Sequence, residues 1–233
     1  MASHPLDQPI WAALASRQID FALGTRARRY QPDVEPFIAW ADDEPETLAE
    51  VRALIGESET VIFLQADAVA LPPGVRIVGQ ETGVQMLAAA PHLEPFADDD
   101  IQPLGDTDVP EMIALAKLTK PGPFLPRTNA LGQFWGVREN GRLLAMAGER
   151  MKLPGQSEVS GVCVHPDGRG RGYARRLSQQ VLSRIIARGE TAFLHAYAAN
   201  APAIRLYESL GFTNRVGGAE GPLMYVYERD LSD

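Results

Sequence analysis

The run Val162-Cys163-Val164-His165-Pro166-Asp167-Gly168-Arg169-Gly170-Arg171-Gly172-Tyr173-Ala174 has the residue types of an anion site. Val159, Val162 and Val164 lead into a His-Pro-Asp-Gly break, after which Leu177, Val181, Leu182 and Ile185 recur at helical spacing. The glycines and arginines therefore fall where a strand ends and a helix begins. There, backbone N–H groups without intrahelical partners meet the positive end of the helix dipole, and glycine lets a ligand approach closely. The chemistry implied is phosphate binding. A nucleoside-triphosphate loop needs Lys-Ser/Thr after its last glycine, and Gly172 is followed by Tyr173-Ala174. Glu190 has roughly the spacing of a dinucleotide fold's ribose-binding acid, but Gly189-Glu190-Thr191 reads as the turn closing the helix. Arg169 and Arg171 suit a pyrophosphate carrying extra negative charge; a solvated surface turn is the alternative.

A second group of candidates follows. Residues 192 to 199 alternate Phe193, His195 and Tyr197 against Leu194, Ala196 and Ala198, a strand pattern. In the Asn200-Ala201-Pro202-Ala203-Ile204-Arg205-Leu206-Tyr207-Glu208-Ser209-Leu210-Gly211-Phe212 run, Asn200 is a good N-cap and Pro202 fits a first turn. Ala203, Leu206, Tyr207 and Leu210 share one face, and Gly211 ends the helix.

These two stretches, in this order and at this distance, resemble the acyl-CoA site of the GNAT superfamily of N-acetyltransferases. The likeness covers roughly residues 100 to 228; V-C-V-H-P and R-L-Y-E-x-L-G-F resemble the branch containing the C-terminal half of glycine N-acyltransferases. The resemblance implies an α/β (α+β) fold, a mixed sheet flanked by helices and splayed at the strand before the pyrophosphate loop. It implies acetyl-CoA as co-substrate, held by Val162, Cys163, Val164, Arg169, Gly170, Arg171, Gly172, Tyr173, Ala174, Asn200, Ala203 and Tyr207. Pantetheine would lie along Val162 to Val164, and the Thr119 to Thr128 loop would meet the acceptor. Tyr207 is carried over as the acid that protonates the leaving thiolate, with an aromatic core anchor as the alternative. Glu158, on the face of Val162, is the candidate base; Glu149, acting through water, and water itself are the other candidates. His195 and Tyr197 could line the acceptor site, although a core histidine satisfied by hydrogen bonds is the more ordinary reading.

Around the site, Ile101 to Leu104 predicts a first strand, and Asp108 with Glu111 an acidic capping box before a helix carrying Val109, Met112, Ile113 and Ala116. Phe134 to Arg138, Leu143 to Arg150 and Ser157 to Val164 read as antiparallel strands, with Glu139-Asn140-Gly141-Arg142 a hairpin turn and Leu223 to Glu228 the closing strand. Upstream, a smaller N-terminal α/β domain is expected, compatible with a degenerate copy of the second: Thr47 caps a helix through Ile55, and Thr60 to Leu64 and Val75 to Val78 are strands.

The 233 residues suffice for one large or two small domains, and the proline-rich, then acidic stretch from Pro91 to Asp100 puts a boundary near residue 97, dividing 1–97 from a catalytic domain over 98–233. Residues 1–98 hold 6 Arg, no Lys and 15 acids, a net −9, against +1 for the remainder. An acidic half argues against nucleic acid and would attract a cationic amine. Its lack of a glycine-arginine loop predicts no second cofactor there. Without a cationic leader or a run of about 18 apolar residues, a cytoplasmic protein off the membrane is expected. Cys163, the single cysteine, reads as a buried hydrophobe. Four histidines without ligand spacing give no metal signal. The partner expected is a small-molecule amine; a homodimer and a non-catalytic acyl-CoA-binding module stay open.

Overall fold

The structure is a computed structural model, described for residues 4–57, 59–65, 70–88, 91, 99–215 and 223–229. At the N-terminal end, α1 (Pro9–Leu14) buries Ile10, Ala13 and Leu14, and β1 (Ala22–Leu23), β2 (Ala27–Tyr30) and β3 (Ile38–Trp40) form a small antiparallel sheet. α2 (Pro45–Leu54) packs on β2. Pro45 occupies its first turn, which moves the start upstream of the expected cap: Thr47 lies inside the helix and its hydroxyl donates to Asp42 Oδ1 at 2.6 Å.

The main sheet contains β4 (Thr60–Gln65), β5 (Val75–Ala88), β6 (Ile101–Leu104), β7 (Phe134–Glu139), β8 (Arg142–Leu153), β9 (Gln156–Val164), β10 (Thr191–Tyr197), β11 (Phe212–Asn214) and β12 (Leu223–Arg229). Their order is β4-β12-β5-β10-β9-β8-β7-β6, with β11 also paired to β5. β9 and β10 run parallel, as strands joined by a helical crossover must. β5, 14 residues long, pairs with β10, β11 and β12. Strands from both sides of the expected boundary thus share one sheet, and residue 97 itself lies outside the described residues.

α3 (Val109–Thr119), α4 (Tyr173–Ala187) and α5 (Ala201–Ser209) complete the fold. Leu177, Val181, Leu182 and Ile185, the stripe read from the sequence, are all buried against Ala145, Val159, Ala192 and Leu194. Each such side chain contributes about 1.5–3 kcal/mol. On the sheet's other face, Met112, Leu115 and Ala116 of α3 meet Phe134, Met146 and Cys163. The reciprocal capping box at Asp108 and Glu111 does not form. Arg138 of β7 draws both carboxylates, leaving Asp108 to accept from the Gly105 N–H at 2.8 Å and Glu111 from the Leu143 N–H at 3.1 Å. The hairpin is as expected, with positive φ at Asn140 and Gly141.

Two glycines shape the sheet next to the site. The β8–β9 register shifts between Met146 and Gly148, and opposite it Gly161 sits at φ +63°. A Cβ on Gly148 would stand 2.4 Å from the Phe134 ring, and one on Gly161 2.8 Å from it. The bulge and the ring beneath it are one device, turning the β9 backbone just before Val162.

Candidate active site

β9 and β10 stay paired only through Thr191–Gln156, Ala192–Ser157 and Phe193–Glu158. Beyond that rung β9 pairs with β8 alone and β10 with β5 alone, so the two strands part. A cavity of about 420 Å³ fills the opening, lined by residues 159–164 on one side and by His195, Ala196 and Tyr197 on the other. The backbone of Val162 to Val164 thereby faces the cavity on its unpaired edge, where an extended ligand can bond to it as an added strand would.

At the loop end, a short turn over Pro166–Gly168 hands the chain to Arg169, which lines the cavity. Gly170 and Gly172 both have φ +75°, with open space where a Cβ would stand. Gly172 is the N-cap of α4, and no side chain caps that helix. The first-turn amides from Tyr173 onward are therefore unspent and carry the dipole's positive end. Arg169 makes no ion pair among the described residues, whereas Arg171 binds Glu139 at 2.8 Å and stacks over Tyr173. The Tyr173 ring is buried, so what that residue offers a ligand is its backbone. Ala174 lines the cavity, as do Asn200 and Ala203 at the start of α5, where Asn200 Oδ1 accepts from the Ala203 N–H at 3.2 Å.

Tyr207 comes up from α5 to the cavity wall. Its ring packs edge-on to Phe212 with centroids 6.0 Å apart, and its hydroxyl has no hydrogen-bond partner among the described residues. Burial, with the nearby Cys163 thiol, pushes it up to about 12. It is both anchor and open hydroxyl, protonated throughout the working pH range. Burial likewise pushes the Cys163 thiol up to about 11, so it stays an uncharged wall residue.

Glu158 is 0 % exposed and does not line the cavity. Its Oε1 accepts from Arg150 Nη2 at 2.9 Å and meets His195 Nδ1 at 2.8 Å, while Oε2 accepts from Arg150 Nε at 2.9 Å and the Met151 N–H at 3.2 Å. Burial alone would raise this carboxyl; the charge of Arg150 and the hydrogen bonds from His195 and Arg150 outweigh it and hold it at about 2. With its lone pairs spent and so little basicity, it is poorly suited to take a proton from the acceptor directly, and its geometry is that of a positioning residue. His195 lines the cavity with both ring nitrogens engaged. Gln85 gives its Nε2 hydrogens to the Leu6 carbonyl and to His195 Nε2, each at 2.9 Å, while its Oε1 accepts from Arg215. That orientation makes His195 Nε2 the acceptor and Nδ1 the donor toward Glu158. Glu149 points to the other face of the sheet, where Arg188 holds it through two bonds of 3.0 and 2.8 Å, away from the cavity.

Sequence reasoning missed several residues of the cavity wall: Phe37, Leu64 and Gly83 from the N-terminal half, and Arg150 from β8, which lies against Phe37. No local spacing links them to the motifs. Arg150 was detectable only by extending the β8–β9 hairpin register to Glu158. The Thr119 to Thr128 loop does reach the cavity, through Thr119 to Pro123.

A splayed mixed sheet with an uncapped glycine loop at its open end is the architecture of an acyl-transferring enzyme. The FR47-like protein family matches residues 134–218. The [ribosomal protein bS18]-alanine N-acetyltransferase of Escherichia coli K12 is 30% identical over 118 residues, 48% of this chain and 79% of that protein. N-alpha-acetyltransferase RimI of Mycobacterium tuberculosis is 35% identical over 109 residues, 42% of this chain and 66% of that protein. A solved structure from Novosphingobium aromaticivorans, assigned to the GNAT family of acetyltransferases, is 43% identical and covers 98% of this chain and 100% of its own, with a TM-score of 0.89. The chain belongs to the GNAT superfamily of N-acetyltransferases, enzymes that carry an acyl group from acetyl-CoA to an amine. No helix among the described residues is long and apolar enough to cross a membrane.

Proposed function

We propose that this protein is an acetyl-CoA-dependent N-acetyltransferase acting on the primary amine of a small molecule or amino acid, in the cytoplasm. The observation that carries this reading is the cavity in the β9–β10 splay, open to an uncapped helix start at one end and walled by Tyr207 midway. The pyrophosphate docks on the amides from Gly170 to Ala174 with Arg169 beside it, and pantetheine runs along Val162 to Val164. Amides turned by the Gly161 bulge stabilise the oxyanion as the amine nitrogen bonds to the thioester carbon.

Collapse of the tetrahedral intermediate re-forms the carbonyl and breaks the carbon–sulfur bond. The open Tyr207 hydroxyl donates to the departing thiolate and is re-protonated from water, while the amine's proton leaves through water; the amine loses one proton and the thiol gains one. A phenol held at about 12 is a weak acid, so its proton passes to sulfur only as water returns one to the phenolic oxygen. Glu158 acts by fixing Arg150 and His195. Of residues 1–97, Phe37, Leu64 and Gly83 line the cavity; their role in this reading is to shape the acceptor end, with a single CoA bound per chain.

Thiol release from acetyl-CoA over a panel of amines, with calorimetric titration of CoA, tests the reading. Amine-dependent release with one CoA bound per chain is expected; CoA binding without turnover on any amine would overturn it.

A further inference from the structure

The end of the cavity away from the glycine loop is closed by a guanidinium with one edge to spare. Arg150 is 9 % exposed and lines the cavity. Its Nε and one N–H of Nη2 are spent on Glu158 at 2.9 Å each, and its Cζ lies over the Phe37 ring, 4.8 Å from the centroid. The ion pair and the ring together fix the group in place. Nη1 and the second N–H of Nη2, the end-on edge, have no partner among the described residues. Nη1 faces Gly122 of the acceptor loop, where a Cβ would stand 3.8 Å away, so the missing side chain leaves that approach open. Glu35, the other carboxyl close enough to act on Arg150, makes no hydrogen bond to it, and both its oxygens are unpartnered.

A planar pair of parallel N–H donors, held rigid at the wall of a cavity, matches a carboxylate. We infer that the acceptor is a free amino acid whose carboxylate is read by the end-on edge of Arg150. This deepens the acetyl-transfer reading above and rests on it. Arg150 lies beside the Glu158 rung, six residues along β9 from Val164 and therefore roughly 20 Å from the loop end. A carboxylate anchored there holds an amine one or two bonds away toward the splay, while Phe37 offers the side chain an apolar wall. The Arg150–Glu158 pair is neutral as a unit, so a zwitterion binds without bringing net charge into the cavity. A simple monoamine, or the N-terminus of a protein chain, presents no carboxylate at that distance and leaves the edge unpaired.

The test compares matched acceptors on the full-length enzyme with saturating acetyl-CoA: several free amino acids, their amides, their decarboxylated amines, and tripeptide amides with the same first residue. The wild type is expected to favour the free acid over its amide by at least about 10-fold in kcat/KM, chiefly through KM. Arg150→Lys keeps the charge but loses the fork, and should shrink that ratio at least about fivefold. If this variant does not fold, the wild-type ratio alone still decides. Amides, amines or tripeptide amides used as well as the free acids, or an unchanged acid-to-amide ratio in folded Arg150→Lys, would overturn the inference while leaving acetyl transfer intact. No CoA-dependent turnover on any acceptor would instead overturn the reading on which it rests.

Discussion

Glu35→Gln should make the protein more stable at neutral pH, by an amount that depends on pH in a defined way. The Glu35 side chain is 0 % exposed and neither oxygen has a hydrogen-bond partner; the neighbouring Thr128 hydroxyl gives its proton to the Val34 carbonyl. Burial is the largest influence on it. Arg150 opposes the shift and Glu158 adds to it, and the carboxyl is raised from 4.5 to about 8, with Tyr30 also within electrostatic reach. Between those two values the folded state binds a proton that the unfolded state has released, so stability falls as pH rises through this window. At about 1.36 kcal/mol per pH unit, the cost is about 3 kcal/mol at pH 7 and about 5 kcal/mol above pH 8. The amide that replaces the carboxyl does not titrate. Urea unfolding of both proteins at half-unit steps from pH 5 to 9 should give a stability difference near its baseline at pH 5, growing by about 3 kcal/mol by pH 7 and levelling off above pH 8. A difference constant to within about 0.5 kcal/mol over that range would refute the account of Glu35 as a buried, proton-bearing acid.

Tyr207→Phe should lower kcat roughly 10- to 1000-fold with little change in CoA affinity, and unchanged turnover on a verified acceptor would reduce Tyr207 to its packing against Phe212. Gly172→Asp has open space around its Cβ but must hold φ +75°, so Gly172→Ala, with the same backbone strain and no charge, is its control, and the loss beyond that control should fall on the ligand. Calorimetry should show CoA binding weakened by several kcal/mol, about 100-fold or more in Kd, and unchanged affinity would sink the assignment of the loop. Gly148→Ala drives a Cβ into the Phe134 ring and should cost about 1–3 kcal/mol in chemical denaturation. Phe134→Leu in the same chain should recover part of that loss, and strictly additive costs would show that the two residues do not share the contact.

The glycine loop, the helix behind it and the α5 cap could be read from the sequence because each depends on neighbours a few residues apart. Gly172 must supply an αL start, Leu177 to Ile185 must share a helical face, and Asn200 must accept from the Ala203 N–H; spacing alone encodes all three. The Asn140-Gly141 hairpin is legible for the same reason. What tertiary structure decided lies across strands distant in sequence. Glu158 has the right type and strand position for a base, but its protonation is set by Arg150 arriving on β8 and His195 on β10, neither of which a strand pattern can weigh. Asp108 and Glu111 had capping-box spacing, yet Arg138 drew both carboxylates away. The β9–β10 splay is an absence of pairing that no strand pattern marks; the motif resemblance implied it, but the rung at which it opens, Phe193–Glu158, is set by the fold. The far wall is the clearest case: Phe37, Leu64 and Gly83 reach the cavity only because the long β5 joins β10 and carries the N-terminal half onto the same sheet. Local chemistry set the glycine loop and the helix start behind it, whereas the far wall of the cavity and the charge states around it follow from long-range packing that brings separate segments into one low-dielectric interior.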